Sequence, residues 1–600
     1  MEPIRRLFDL LELYANKYSS KTDALNYKKD GIWQKYSASD YVSYSDQLSL
    51  GLLSLGIRKG DRIATILTNS PEWNFFDMGI MQVGAVQVPL YPVLSEENYR
   101  YILNDAQVKL IIISNNAIYQ RIRKVLPENH SADTMYSIEK VKGLRQWKEI
   151  VELGKKFSNL EEFENIKKSI QPADLATIIY TSGTTGRPKG VMLSHQNFVS
   201  NFSTCAEIRN FGTTDRVLSF LPLCHVYERM LNYLFQSYGM SIYYAESFDK
   251  LGENIREVKP HTFATVPRVL EKIYDKIVAR GRKLKGPMRI LFFWALRQGH
   301  KFELDHANGW YYEVKIWIAN LLVFRIWRKS LGNNVKIIVS GGASLHPRLA
   351  RLFWAAKIYV MEGYGLTETS PVIAVYTFKP GGMKFGTVGP ILPGVEVRIA
   401  EDGEILCKGP NIMLGYYNRP ERTRDVIDPD GWFHTGDIGA IEDGKYLRIT
   451  DRKKEIFKTS TGKYVAPQVI EQKFKQSPFI EQIMVIGENR KYTAALIVPN
   501  FDYLKTWCEI KHVNFISNER AVRNPRIIHR FKVEVNRINQ ELGQTEKIKK
   551  FRLLHQEWTL ESGELSLTLK LRRKFILEKY HAIIEETYRS SEFNYKVDLY

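Results

Sequence analysis

The chain is poor in the features that mark several protein classes. Its 600 residues include four cysteines, Cys205, Cys224, Cys407 and Cys508, scattered without metal-ligand spacing. That excludes a disulfide framework or a zinc module and fits reduced, partly buried thiols in a cytoplasmic protein. No run approaches the roughly 20 unbroken apolar residues that span a bilayer. The longest candidate, 75–94, is interrupted by Asp77, Gln82, Gln87, Pro89 and Pro92 and reads as a buried helix followed by a strand and turn. The opening MEPIRRLFDLLELYANKY lacks the apolar core and cleavage site of a secretory signal. Ile4, Leu7, Phe8, Leu11 and Tyr14 instead fall at helical spacing, which predicts a docked helix. There is no repeat at a solenoid period, no low-complexity tract, and no zinc-finger or RNP-type pattern, so nucleic acid is not an expected partner.

What is present in excess is positive charge, a formal +20. Such a field attracts anionic lipid or polyanionic small molecules. Short apolar runs alternate with helical patterns in the first half; RIATIL (62–67), VKLIIIS (108–114) and ATIIYT (176–181) are examples. The alternation predicts an α/β fold with αβ-layered subdomains. After Gly386 short strands and Gly-rich turns predict a β-rich subdomain closing a large N-terminal domain, 1–450. DRKKE (451–455) reads as a surface linker to a small, mobile α+β domain, 451–600.

The densest chemistry lies at 181–190, TSGTTGRPKG. Glycines 183, 186 and 190 let backbone N–H groups turn inward on phosphate oxygens. Thr181, Ser182, Thr184 and Thr185 add hydroxyls and Lys189 a cation. The loop is not a Walker motif, which would need Gly in place of Pro188 and Ser or Thr in place of Gly190. A P-loop kinase or GTPase is therefore disfavoured. Gly363-Tyr364-Gly365 is only half of a dinucleotide fingerprint.

The loop closely resembles the signature of the AMP-forming adenylate-forming enzymes: acyl-CoA synthetases, luciferases and peptide-synthetase adenylation domains. SGGASL (340–345), EGYGLTE (362–368), GWFHTGD (431–437), DRKKE and LTLKLRR (567–573) follow in the order of that family. The resemblance implies an ATP site using Thr181, Ser182, Gly183, Thr184, Thr185, Gly186 and Lys189 around phosphate. Gly341, Gly342 and Ala343 lack bulk and suit a flat purine, on which Tyr364 can stack; Glu362, Gly363 and Gly365 belong to the same segment. Thr367 can donate to the α-phosphate. Glu368, a hard oxygen ligand, suits Mg²⁺ together with Thr184. By resemblance Asp437 and Arg452 contact the ribose, Asp451 is the hinge, Gly462 lines the pantetheine path of coenzyme A, and Lys570 is the mobile catalytic lysine. The family often has Pro where Leu567 stands.

LPLCHVYER (221–229), TVPRVLEKIY (265–274), TEKIKKFRLL (545–554) and a long segment at 280–334 resemble the long-chain fatty acid–CoA ligases, AMP-forming acid–thiol ligases. His225 and Tyr227 are then candidates at the acyl tunnel. Residues 280–329 carry eleven Lys/Arg against three Asp/Glu, interleaved with aromatics, among them Phe292, Phe324 and Trp327. The stripe Val314, Trp317, Ile318, Leu321 and Leu322 suits peripheral contact with an anionic membrane, or packing on the body. A carrier-protein thiol as acceptor and a non-catalytic basic membrane binder are the competing readings. Nothing fixes the oligomeric state, and a homodimer is compatible.

Overall fold

The apolar runs become strands because each is enclosed on both faces. Arg62–Ile66, Leu110–Ile113 and Leu175–Thr181 lie in one eight-stranded sheet. Its spatial order is Gly415–Tyr416, Lys189–Ser194, Leu175–Thr181, Val86–Pro89, Arg62–Ile66, Leu110–Ile113, Met135–Ser137 and Arg145–Gln146. Leu110–Ile113 is buried at every position, as a strand covered on both sides must be. The computed structural model describes residues 4–126, 132–181, 187–208, 211–559, 561–566 and 570–589.

A second eight-stranded sheet runs Val372–Val375, Val360–Gly365, Ile337–Ser340, Thr262–Thr265, Arg216–Ser219, Ser241–Tyr244, Leu25–Lys29 and Ile32–Tyr36. The helix Pro71–Gln82 is buried along its whole length, with Pro at its first turn. Its Asp77 is fully buried and is met by Arg229 and by the Tyr233 hydroxyl, which donates at 2.8 Å. Arg229 also donates to Thr177 Oγ1 at 2.8 Å. This network joins the helix Val226–Ser237, continuous in sequence with the second sheet, to a strand of the first. The N-terminal segment docks as expected, with Leu7, Phe8, Leu11 and Tyr14 buried.

The β-rich region is a four-stranded antiparallel sheet, Glu396–Ile399, Glu404–Lys408, Phe433–Glu442 and Tyr446–Arg452. Beyond it, buried apolar residues from Val465 to Ile584 form a core of their own. There Ala494–Pro499 pairs antiparallel with Ile480–Ile486 and parallel with Lys550–Leu553. This C-terminal lobe meets the helix Pro267–Lys283 of the first part: Arg268 pairs with Glu481, and the Arg282 guanidinium lies 4.0 Å from the Tyr503 ring centre.

Two expectations are corrected. The linker is only partly a surface segment. Asp451 is 1% exposed and accepts the N–H groups of Arg452 and Gln468 at 2.6 and 3.2 Å. Gln468 lies in the first turn of the helix Pro467–Phe474, where free N–H groups favour an anion. In the basic insertion Phe292, Phe324 and Trp327 are packed against the body, so only part of the aromatic set, Trp310 and Trp317 among it, is exposed.

Candidate functional site

Strand ends converge on a cleft between the two parts of the chain. Arg216–Ser219 ends before LPLCH, Thr262–Thr265 before VPRV, and Ile337–Ser340 before Gly341. These are the carboxyl ends of parallel strands, where open α/β sheets bind ligands. The cavity there measures about 3100 Å³.

The segment at 181–190 bridges two strands of a hairpin, since Leu175–Thr181 pairs antiparallel with Lys189–Ser194 and Thr181 faces Lys189. A hairpin, not a strand leading into a helix, explains why the spacing fails as a Walker motif. Thr181 and Lys189 line the cavity. Ser182, Gly183, Thr184, Thr185 and Gly186 lie outside the described residues. Burial first, then the nearby cations Lys454 and Arg422, holds the Lys189 ammonium below its usual range. Its Nζ sits 4.5 Å from the Tyr416 ring centre, and the Tyr416 hydroxyl donates to Glu368 Oε1 at 2.9 Å. Lys189 and Glu368, far apart in sequence, are thus linked through one tyrosine. Arg422, Lys454 and Tyr416 also line the cavity and were not anticipated as site residues. Lys454 falls inside DRKKE; Tyr416 and Arg422 carry no motif of their own.

The other wall is built from SGGASL and EGYGLTE. Gly341, Gly342 and Ala343 line it, and a Cβ at Gly341 would come within 3.0 Å of the Tyr227 ring. Gly363, Tyr364, Gly365 and Thr367 follow. Gly365 is sterically obligatory, because a Cβ there would sit 1.6 Å from the Pro371 carbonyl oxygen. Glu362 is absent from the lining; its carboxylate accepts the Leu345 N–H at 3.3 Å, and burial raises its pKa to about 8. It braces the SGGASL turn from behind. Tyr364 donates to Asp437 Oδ2 at 2.7 Å, and Arg452 Nε lies 3.1 Å from Asp437 Oδ1. The structure therefore gathers Tyr364, Asp437 and Arg452, from three separate segments, into one cluster. Asp437 is 4% exposed and lies just behind the lining.

Lys570 reaches this cluster from the C-terminal lobe. Its side chain is exposed, but to the cavity rather than to open solvent. Crowding by surrounding protein, then the Arg452 charge, lowers its pKa to about 8. It is near enough to His225 to contribute, after burial, to a His225 pKa of about 4. His225 and Tyr227 line the cavity; His225 is the N-cap of Val226–Ser237, its Nδ1 accepting the Tyr227 N–H at 3.4 Å. Three residues after Lys570, Arg573 bridges Glu455 at 2.8 Å and Glu471 at 2.6 Å. Gly462 is not brought to the cavity. It occupies a turn at φ +81°, beside the pairing of Phe457–Lys458 with Tyr464–Val465.

A two-lobed α/β molecule with a cation-rich cleft and a tyrosine–aspartate–arginine cluster has the form of a nucleotide-using enzyme. Residues 11–417 match the AMP-binding enzyme family and residues 454–592 its C-terminal domain, so the chain belongs to the AMP-binding enzymes. Among its relatives, it is 32% identical over 582 residues to the long-chain-fatty-acid–CoA ligase FadD15 of Mycobacterium bovis, covering 93% of each chain. It is 31% identical over 590 residues to the peroxisomal long chain acyl-CoA synthetase 6 of Arabidopsis thaliana, covering 93% of this chain and 82% of that one. The adenylation domain of a carboxylate reductase from Mycobacterium chelonae shares the fold, with a TM-score of 0.73 at 22% identity over 98% of this chain and 92% of that one.

Proposed function

We propose that the protein is a long-chain fatty acid–CoA ligase. A fatty carboxylate oxygen attacks the α-phosphorus of ATP, the bond to the β-phosphate oxygen breaks, and pyrophosphate leaves. The thiol of coenzyme A then attacks the acyl carbon, loses its proton, and AMP departs. The observation that carries this is the Tyr364–Asp437–Arg452 cluster facing Lys570 across a cleft rich in cations. The names of the relatives supply the acid and the acceptor.

Both reactants of the first step are anions, so the residues must neutralise charge before they meet. Lys189, Arg422 and Lys454 do so for the phosphates, and Lys570 does so between carboxylate and α-phosphate. Asp437, held in place by Tyr364 and Arg452, accepts from the ribose hydroxyls with the remaining lone pairs of its carboxylate. Among the described residues no three acids or histidines converge into a cage. Glu368 offers one carboxylate, linked to Lys189 through Tyr416, which fits Mg²⁺ held mainly by nucleotide oxygens. When bound, the ion would neutralise phosphate charge; Thr184 is the other expected ligand.

The lobe from 451 to 600 turns about Asp451 between the steps, withdrawing Lys570 and bringing Gly462 towards the pantetheine path. The partners are the fatty acid, coenzyme A and, through 280–330, an anionic membrane surface. Fatty-acid-dependent ATP–pyrophosphate exchange, followed by AMP release with coenzyme A across a panel of acyl lengths, tests the reading. Absence of exchange from folded protein refutes it.

A further inference from the structure

A buried charge cluster just beyond Lys570 takes no part in the chemistry described so far. Arg573 opens the helix Arg573–Lys579, three residues past the lysine. Its Nε donates to Glu455 Oε2 at 2.8 Å, and its two Nη atoms donate to Glu471 Oε2 at 2.6 Å and to the Val485 carbonyl at 3.3 Å. Glu455 Oε2 also accepts from Gln468 Nε2 at 2.8 Å, and Glu471 Oε1 accepts the Val485 N–H at 2.6 Å. One guanidinium thus joins the segment just past Asp451, the helix Pro467–Phe474 and the strand Ile480–Ile486.

The three charged side chains are 6% to 16% exposed, so they give up hydration that their attraction only roughly repays. Apolar side chains of the same size would stabilise the lobe as well. What those would not supply is direction. A planar guanidinium held by two carboxylates and a carbonyl admits one orientation. That orientation passes to Lys570 over a short path. The Lys570 N–H donates to Ser566 Oγ at 3.1 Å, and its carbonyl accepts the Ser566 N–H at 2.7 Å. Leu565 and Leu571 form an antiparallel bridge. On the far side, the Glu564 carboxylate accepts from Lys579 Nζ at 2.7 Å and from the Tyr580 hydroxyl at 2.9 Å. The segment bearing the lysine is therefore fixed at both ends.

The cluster also bears on charge. Lys570 is faced by Arg452 and Asp437 of the four-stranded sheet, by Glu455, and by His225 across the cavity. Arg452 works against the lysine's charge, whereas Asp437 and Glu455 favour it. Against the pull of burial, Arg573 and Gln468 hold the Glu455 carboxyl below its usual range. We infer that Arg573 is a positioning residue for adenylation. It locks Lys570 to the segment just past the hinge, so that lysine and linker turn as one unit, and it seats Glu455 near Lys570. This rests on the adenylating role read for Lys570, but the lock itself does not depend on that role.

The test uses the full chain and three variants. Arg573→Lys keeps the charge but cannot reach both acids. Arg573→Met with Glu471→Gln removes the lock while preserving the net charge of the cluster, and Glu455→Gln removes the carboxylate near Lys570. Both Arg573 variants should lower the kcat of fatty-acid-dependent ATP–pyrophosphate exchange about tenfold or more, as misplacement of a reacting group does. The KM for ATP and thioester formation from supplied acyl-adenylate should each change less than about threefold. Glu455→Gln should move the alkaline fall of the exchange rate to lower pH. The double variant, which leaves Glu455 without its counter-charge, should move it to higher pH. A merely structural role would shift neither. Amide hydrogen exchange at 456–458 and 570–572 should quicken together in both Arg573 variants. Unchanged amide protection there overturns the lock, and equal losses in both half-reactions overturn the positioning role. Quickened amide exchange at both segments, in a chain with no acid-dependent pyrophosphate exchange, supports the lock and sinks the ligase reading alone.

Discussion

At the scale of single residues, Lys570 is the most exposed to test. Its pKa of about 8 means that it loses its charge as pH rises through 8, well below the 10.5 of a free lysine. Because the pKa is lowered, crowding disfavours the docked lobe while Lys570 is charged, and this cost fades as pH rises from 8 to 10.5. The kcat/KM for adenylation, which reports the free enzyme, should fall on the alkaline side with an apparent pKa near 8. In Lys570→Arg that fall should move out of the measurable range. Lys570→Ala should slow ATP–pyrophosphate exchange by about 100-fold or more while changing thioester formation from supplied acyl-adenylate less than about tenfold. Equal losses in both half-reactions would defeat the alternating-lobe account. Tyr364→Phe removes one hydrogen bond to Asp437, a charged acceptor, so the KM for ATP should rise about tenfold, corresponding to roughly 1.5 kcal/mol.

At the scale of elements, the turn after Val360–Gly365 depends on a missing side chain. A methyl at position 365 would strike the Pro371 carbonyl, so Gly365→Ala must move backbone that carries Thr367 and Glu368. Thermal denaturation should show a loss of about 2 kcal/mol or more, with exchange activity falling as well. Apolar runs and motif order foretold the strands and most of the cleft: Tyr364, Asp437, Arg452 and Lys570 do gather. Tyr416 and Arg422 were illegible, since their neighbours arrive from distant segments and their own surroundings in sequence are ordinary. Glu362 shows the converse. Its motif marked it for the nucleotide, yet its strand turns the carboxylate behind the wall. The insertion at 280–329 was legible as an amphipathic helix, but which aromatics face out was decided by how its helices pack on the body.

At the scale of the whole molecule, the helix Pro267–Lys283 of the first part meets the C-terminal lobe. Arg268–Glu481 and Arg282 over Tyr503 hold the C-terminal lobe where Lys570 faces the cleft. Glu481→Ala should therefore slow adenylation several-fold while sparing or speeding the thioester step, read from separate half-reaction rates. A matching loss in both steps would make the contact merely structural. By itself the sequence determined the α/β class and the family, because strand burial and motif order are written along the chain. Tertiary structure alone decided that Lys570 seats beside Arg452 with a lowered pKa, that Tyr416 joins Lys189 to Glu368, and that Trp310 and Trp317 face outward. Each depends on which surfaces meet across space, and residue spacing along a chain does not encode that.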